Sequence, residues 1–161
     1  MSPTLDLEAL CLDDQSRVKL DFLGEEARFH HIGMVVRCIK AVSPRSTVID
    51  DPIQGVSVAL VLINGLPVEL IEPRGANSPV AKSLERGVKL LHVCYAVPNL
   101  KAAIRTCRKH GFHCIQGPVP ARAFGNANIA WVYSRQYGLF ELCENSNTSA
   151  THEDGAGEAL S

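Results

Sequence analysis

Phe29-His30-His31-Ile32-Gly33-Met34-Val35-Val36 is answered later in the chain by Leu91-His92-Val93-Cys94-Tyr95-Ala96-Val97. Successive side chains on a strand point to opposite faces, so each copy divides into two rows. In the later copy one row is Leu91, Val93, Tyr95 and Val97, and the other is His92, Cys94 and Ala96. In the earlier copy the rows are His30, Ile32, Met34, Val36 and His31, Gly33, Val35. The bulky row of each suits packing against helices. The row of small residues with one His leaves room beside the imidazole, as on a strand whose second face lines a cavity. Parity against His92 selects His31 rather than His30, and predicts that His30 faces the other way.

The halves also close alike, on Pro67-Val68-Glu69-Leu70-Ile71-Glu72 and on Gly138-Leu139-Phe140-Glu141-Leu142-Cys143-Glu144. Alternation sets Glu69 with Ile71 and Glu141 with Cys143, opposite the more apolar rows. A carboxylate between Leu and Phe on a strand is costly to bury unless something pairs with it. Two His and two Glu, one of each per half, can share a metal. Glu72 and Glu144 fall out of register with the inward rows and read as solvated strand ends.

The remaining punctuation gives the order of elements. After a first strand over residues 28–37, Pro44 leaves too little chain for a full amphipathic helix. Thr47 to Asp50 reads as a short strand, Gln54-Gly55 as a turn, Val56 to Ile63 as an apolar strand, and Asn64-Gly65 as a hairpin into the Glu69 strand. Ser78, as N-cap, and Pro79 start a linker helix over residues 78–87 that joins the halves. Beyond the His92 strand, Leu100, Ala103, Ile104 and Cys107 recur at helical spacing up to Gly111. Phe112 to Ile115 is expected as a strand, Pro118-Val119-Pro120 as a rigid turn, and Asn128 to Tyr133 as another strand. The second half is thus βαβββ, and the first is the same unit with its helix cut down.

A chain of 161 residues, 46% hydrophobic and 20% charged, fits one globular domain or two small fused halves. A formal net charge of -1 offers no general attraction to nucleic acid or to an anionic membrane. No apolar run approaches a membrane span, and the polar start lacks the features of a signal peptide, so a cytoplasmic protein with a small-molecule partner is the expectation. The six cysteines lack CxxC spacing and read as buried thiols. Residues 1–27 form an N-terminal extension with a short helix and an extended piece. Residues 145–161 are too polar to bury anything and predict a disordered tail.

In this order and with these residues, the chain resembles the vicinal oxygen chelate superfamily, and within it the methylmalonyl-CoA epimerase branch. The pieces that carry the resemblance are Phe29-His30-His31-Ile32-Gly33, Gly55-Val56-Ser57-Val58-Ala59, Val68-Glu69-Leu70-Ile71-Glu72-Pro73, Asn77-Ser78-Pro79-Val80-Ala81, Leu91-His92-Val93 and Gly138-Leu139-Phe140-Glu141-Leu142. The implied fold is α+β, a glyoxalase-like cupped sheet over residues 28–144 made of modules 28–73 and 90–144. The implied cofactor is one divalent ion (zinc, cobalt, nickel or manganese) held by His31, Glu69, His92 and Glu141, with positions open for substrate oxygens. In such a family the ion polarises a carbonyl so that the enolate left by proton removal is stabilised. Glu141 would then serve as base, with Glu69 completing the catalytic set.

The same resemblance implies an acyl thioester as substrate class and is compatible with a homodimer. The loop Pro120 to Asn126 supplies Arg122 and Phe124 as substrate contacts, and Cys94 and Cys143 share the inward rows. Other readings are a metal-free binding or drug-sequestering protein of this fold, a glyoxalase I-like lyase, or a ring-opening enzyme. The last usually relies on iron with two His and one Glu, and Glu69 speaks against it.

Overall fold

The computed structural model describes residues 20–145; residues 1–19 of the extension expected over 1–27, and residues 146–161 of the tail expected over 145–161, lie outside the described residues. The elements in order are β1 (Arg28–Val35), α1 (Ile39–Val42), β2 (Ile49–Asp51), β3 (Val56–Ile63), β4 (Leu66–Pro73), α2 (Ala81–Glu85), β5 (Leu90–Val97), α3 (Leu100–Lys109), β6 (His113–Pro120), β7 (Asn128–Ser134) and β8 (Gly138–Glu144). They build one eight-stranded sheet in the order β2-β3-β4-β1-β5-β8-β7-β6. Each half runs in the same internal order. In each, the first strand lies parallel to the last, β1 with β4 and β5 with β8. The halves meet where β1 pairs antiparallel with β5. This is the α+β cupped sheet of two βαβββ units that the repeated strands predict, with α1 reduced to four residues.

Helix α3 is amphipathic and buries Leu100, Ala103, Ile104 and Cys107 against the back of the second half. Asn99 caps it, its side chain accepting from the Ala102 N–H at 2.9 Å. The short turn Asp21–Leu23 adds Phe22 and Leu23 to that cluster, where Phe22 packs against Phe112 and Phe140. Part of the N-terminal extension thus completes the core of the second half. The first half has its own core between α1 and the sheet, around Ile39, Ala59, Val68 and Leu70.

Three local expectations are corrected. Pro118-Val119-Pro120 is not a turn but the end of β6, an edge strand with irregular register between Gln116 and Val119, where prolines leave no ladder partner short of a donor. Ser78 does not cap α2. Its N–H closes a turn on the Gly75 carbonyl, its hydroxyl is buried without a partner, and the helix begins at Ala81. Glu72 and Glu144 are not solvated ends. Glu72 Oε2 accepts from the Ile39 N–H at 2.8 Å, and Glu144 Oε1 accepts from the Leu100 N–H at 3.5 Å. Each closing strand thereby offers a carboxylate to the first N–H of its own half's helix, where the helix dipole favours negative charge.

Candidate metal centre and cavity

The four central strands, β4, β1, β5 and β8, each deliver one donor to the concave face. Strand register explains how they converge. Gly33 stands between Glu69 and His92 in one lateral row, and Cys94 stands between His31 and Glu141 in the next. Each middle residue is small, so its neighbours can lean over it. At Gly33 the clearance is absolute: a Cβ there would lie 2.1, 2.3 and 2.6 Å from three atoms of the His92 ring.

His31, Glu69, His92 and Glu141 are all buried, at 0, 6, 5 and 2% exposure. Their donor atoms form one group. His31 Nε2 lies 3.2 Å from His92 Nε2, and Glu141 Oε2 lies 3.2 Å from both. Glu69 Oε2 stands 3.6 Å from His31 Nε2 and 3.7 Å from His92 Nε2. Ligand bonds of about 2.0–2.1 Å in a tetrahedron require donors about 3.3 Å apart, so this spacing fits a divalent ion. Glu141 Oε2, though near both imidazoles, has no hydrogen-bond partner in acceptable geometry, which is costly for a buried carboxylate unless an ion completes it. On these grounds the residues fit a divalent metal.

His30 does not face away as strand parity predicts. Between Phe29 and His31 the pairing with β5 slips by one residue, and this bulge turns His30 toward the same side as His31. Its Nδ1 lies 2.8 Å from His31 Nδ1. Burial and the neighbouring His31 lower the His30 pKa, and a charged His31 carries a proton on Nδ1 that it donates to His30. His31 then keeps its proton on Nδ1 and presents Nε2 to the donor group, a tautomer fixed by the partner on the far nitrogen. The imidazoles are also held by aromatic rings. Phe124 stacks on His31 at 5.7 Å, and Trp131 meets His92 edge-on at 4.7 Å.

Without an ion the donors share protons. Burial works against a charged His31, but the neighbouring carboxylates of Glu141 and Glu69 outweigh it and raise its pKa from 6.5 to about 9. Burial opposes the charge on Glu141 too, yet the two imidazoles 3.2 Å from Oε2 outweigh it and lower its pKa from 4.5 to about 2. Glu69 is raised by burial. The signs set a window. His31 contributes fully below pH 6.5 and loses its contribution as pH rises through about 9. Glu141 contributes fully above 4.5 and loses it as pH falls through about 2. Metal-free protein should therefore show its highest urea midpoint between about pH 4.5 and 6.5. Midpoints measured across pH check this, and a midpoint that rises steadily to pH 9 would contradict it.

Above the donors lies a cavity of about 220 Å³ whose floor includes Glu69 and Glu141. Val56, Val58, Ile71 and Val80 form much of the first half's wall, and Ile129 and Trp131 much of the second's. Of the expected substrate contacts, Phe124 lines this cavity. Arg122 is exposed and outside the lining, its Nη1 turned to the Asp50 carbonyl at 3.5 Å. Cys94 and Cys143 are buried and outside it as well, clustered with Ala121 and Ile129, and burial raises the Cys94 thiol well above its ordinary range.

Asp51, Gln54 and Trp131 are among the cavity residues that escaped the sequence reading. Asp51 Oδ1 accepts from the Ile53 and Gln54 N–H groups, both at 3.0 Å, and Oδ2 accepts from the Arg122 N–H at 3.1 Å. It thereby ties the turn after β2 to the loop before β7. Trp131 Nε1 donates to Gln54 Oε1 at 3.3 Å across the same gap. The signal for Trp131 was in its strand, where it pairs with Glu141 and shares inward parity with Ile129.

A family model, that of the Glyoxalase/Bleomycin resistance protein/Dioxygenase superfamily, matches residues 30–133. Among characterised proteins, the human mitochondrial methylmalonyl-CoA epimerase is 31% identical over 80 residues, 48% of this chain and 46% of that protein. An ethylmalonyl-CoA/methylmalonyl-CoA epimerase of Cereibacter sphaeroides is 30% identical over 97 residues, 58% of this chain and 72% of that one. The chain thus spans about half the length of the human relative and more of the bacterial one. In three dimensions it is similar to the Streptomyces coelicolor methylmalonyl-CoA epimerase bound to 2-nitronate-propionyl-CoA, with a TM-score of 0.63 and 20% identity over 74% of this chain and 97% of that one. That likeness concerns the fold.

Proposed function

Because the chain belongs to the Glyoxalase/Bleomycin resistance protein/Dioxygenase superfamily and brings two His and two Glu together beneath an apolar cavity, we propose that it is a divalent-metal-dependent enzyme of the epimerase type. The reaction would move a proton on the carbon next to a carbonyl, and the substrate class is an acyl thioester, in keeping with relatives named as methylmalonyl-CoA epimerases. The observation that carries this reading is the convergence of His31, Glu69, His92 and Glu141 from four adjacent strands at ligand spacing.

When bound, a divalent ion held by these four would supply Lewis-acid polarisation of the substrate carbonyl. The protein's own groups do the rest. The apolar wall seats the acyl chain and excludes water, which strengthens every charge inside. His30, Phe124 and Trp131 hold the two imidazoles in orientation. Glu141 takes or returns the α proton on one face, since its carboxylate is ionised at neutral pH and stands on the cavity floor. Glu69, the other floor carboxylate, whose pKa burial raises, would serve as the second proton carrier that inversion at the opposite face requires.

Elemental analysis of purified protein tests the foundation. About one divalent transition metal per chain is expected, and His92→Ala should lose it. Protein that takes up no zinc, cobalt, nickel or manganese on addition would remove this reading and leave the apolar cavity as a plain binding site.

A further inference from the structure

We propose that the cavity selects an acyl end that carries no free carboxylate beside its reacting carbon: a short, uncharged, branched alkyl thioester rather than a malonyl-type one. The inference rests on the reading of the site as one for proton transfer on an acyl group, and narrows it from the charge and shape of the wall.

Among the described residues the charged groups lining the cavity are Asp51, Glu69 and Glu141, and no Lys or Arg lines it. The nearby cations are engaged elsewhere. Arg74 pairs with the Asp50 carboxylate, and Arg122 gives its backbone N–H to Asp51 and Nη1 to the Asp50 carbonyl. A divalent ion on the floor does not reverse the balance, because Glu69 and Glu141 match its two charges and Asp51 remains. A substrate carboxylate would enter a site with no surplus positive charge, against walls of Val56, Val58, Ile71, Val80 and Ile129. Burying an unpaired carboxylate among such groups is strongly unfavourable, whereas a methyl in the same place gains from burial.

The remaining polar groups of the wall are uncharged amides, which can give a hydrogen bond to a thioester carbonyl but supply no counter-charge for a carboxylate. Trp131 Nε1–H can only donate, so its bond fixes Gln54 with Oε1 toward the indole and leaves Nε2 as the amide donor. That Nε2 is buried without a partner. Gln116 is the other amide of the lining. The volume of about 220 Å³ is below the range of roughly 300–1,000 Å³ usual for whole small-molecule ligands, so the acyl end enters and the thiol carrier stays outside.

Two pantetheine thioesters of nearly the same shape separate the alternatives: isobutyryl, and methylmalonyl, in which one methyl is replaced by a carboxylate. The chain has a single tryptophan, and its ring sits 4.7 Å from His92, so intrinsic fluorescence reports on the cavity directly. Isobutyryl pantetheine is expected to bind at least tenfold more tightly than methylmalonyl pantetheine at pH 7.5, with zinc-loaded and with metal-free protein. Gln116→Lys, which adds a cation at an exposed position of the wall, should narrow the gap by strengthening methylmalonyl binding. Equal or tighter methylmalonyl binding to the unaltered protein would overturn the proposal, and so would the absence of binding by either. Deuterium uptake at the α carbon of bound isobutyryl is read separately. Selective binding without exchange would sink the proton-transfer reading while the charge selectivity stands; exchange with no binding preference would do the reverse.

Discussion

Glu141→Gln is expected to lower α-proton exchange by at least about 10³-fold while the protein still folds. The two side chains have nearly the same volume, so neither the cavity nor the packing of β8 between β5 and β7 need change. What changes is chemical. An amide cannot accept the α proton at neutral pH, and a positioned base by itself contributes roughly 10²–10⁴-fold. The substitution also removes a charge 3.2 Å from both imidazoles, so an ion would be held by one carboxylate instead of two. Exchange from heavy water into an acyl thioester, followed by mass spectrometry, gives the rate. Circular dichroism melts show whether the fold survives, and full activity in a folded variant would remove Glu141 from the mechanism.

Gly33→Ala is expected to weaken metal binding by at least about 100-fold, the upper end of what altered support around a ligand costs. The backbone of Gly33 does not use the left-handed region, so alanine is not strained there for conformational reasons. Its methyl group meets the His92 ring at 2.1 Å, and the ring, being the movable partner, must swing away from the other donors. The loss should appear in competition with a chromophoric chelator, with a smaller fall in the unfolding midpoint of metal-free protein because His92 also leaves Glu141. Metal affinity within threefold of the original would show that His92 need not lean over Gly33 to bind.

The repeated strands made the architecture legible because inward and outward rows differ so sharply in bulk. His31, His92, Glu69 and Glu141 followed from parity and from the rule that a buried carboxylate needs a partner. Parity failed at His30, because a bulge adds a residue to β1 without leaving a mark in the local composition. It also passed over Glu72 and Glu144, whose role lies in helices that begin across the chain rather than beside them. Asp51, Gln54 and Trp131 were hidden for a related reason. Each acts through a contact between the two halves, and local alternation carries no information about which loops the folded sheet brings together.

The central seam, where β1 meets β5, has a further meaning for how the molecule holds together. Each half alone owns one imidazole and one carboxylate, too few to retain an ion firmly, so the binding energy exists only when both halves are docked. A ligand that binds only the assembled form stabilises it by mass action, about 4 kcal/mol when present at a thousand times its dissociation constant. With an ion bound, that stabilisation would fall on the junction between the repeats rather than on either repeat. The ion would make two similar folding units behave as a single cooperative one, and its withdrawal would loosen their union before it loosened their interiors.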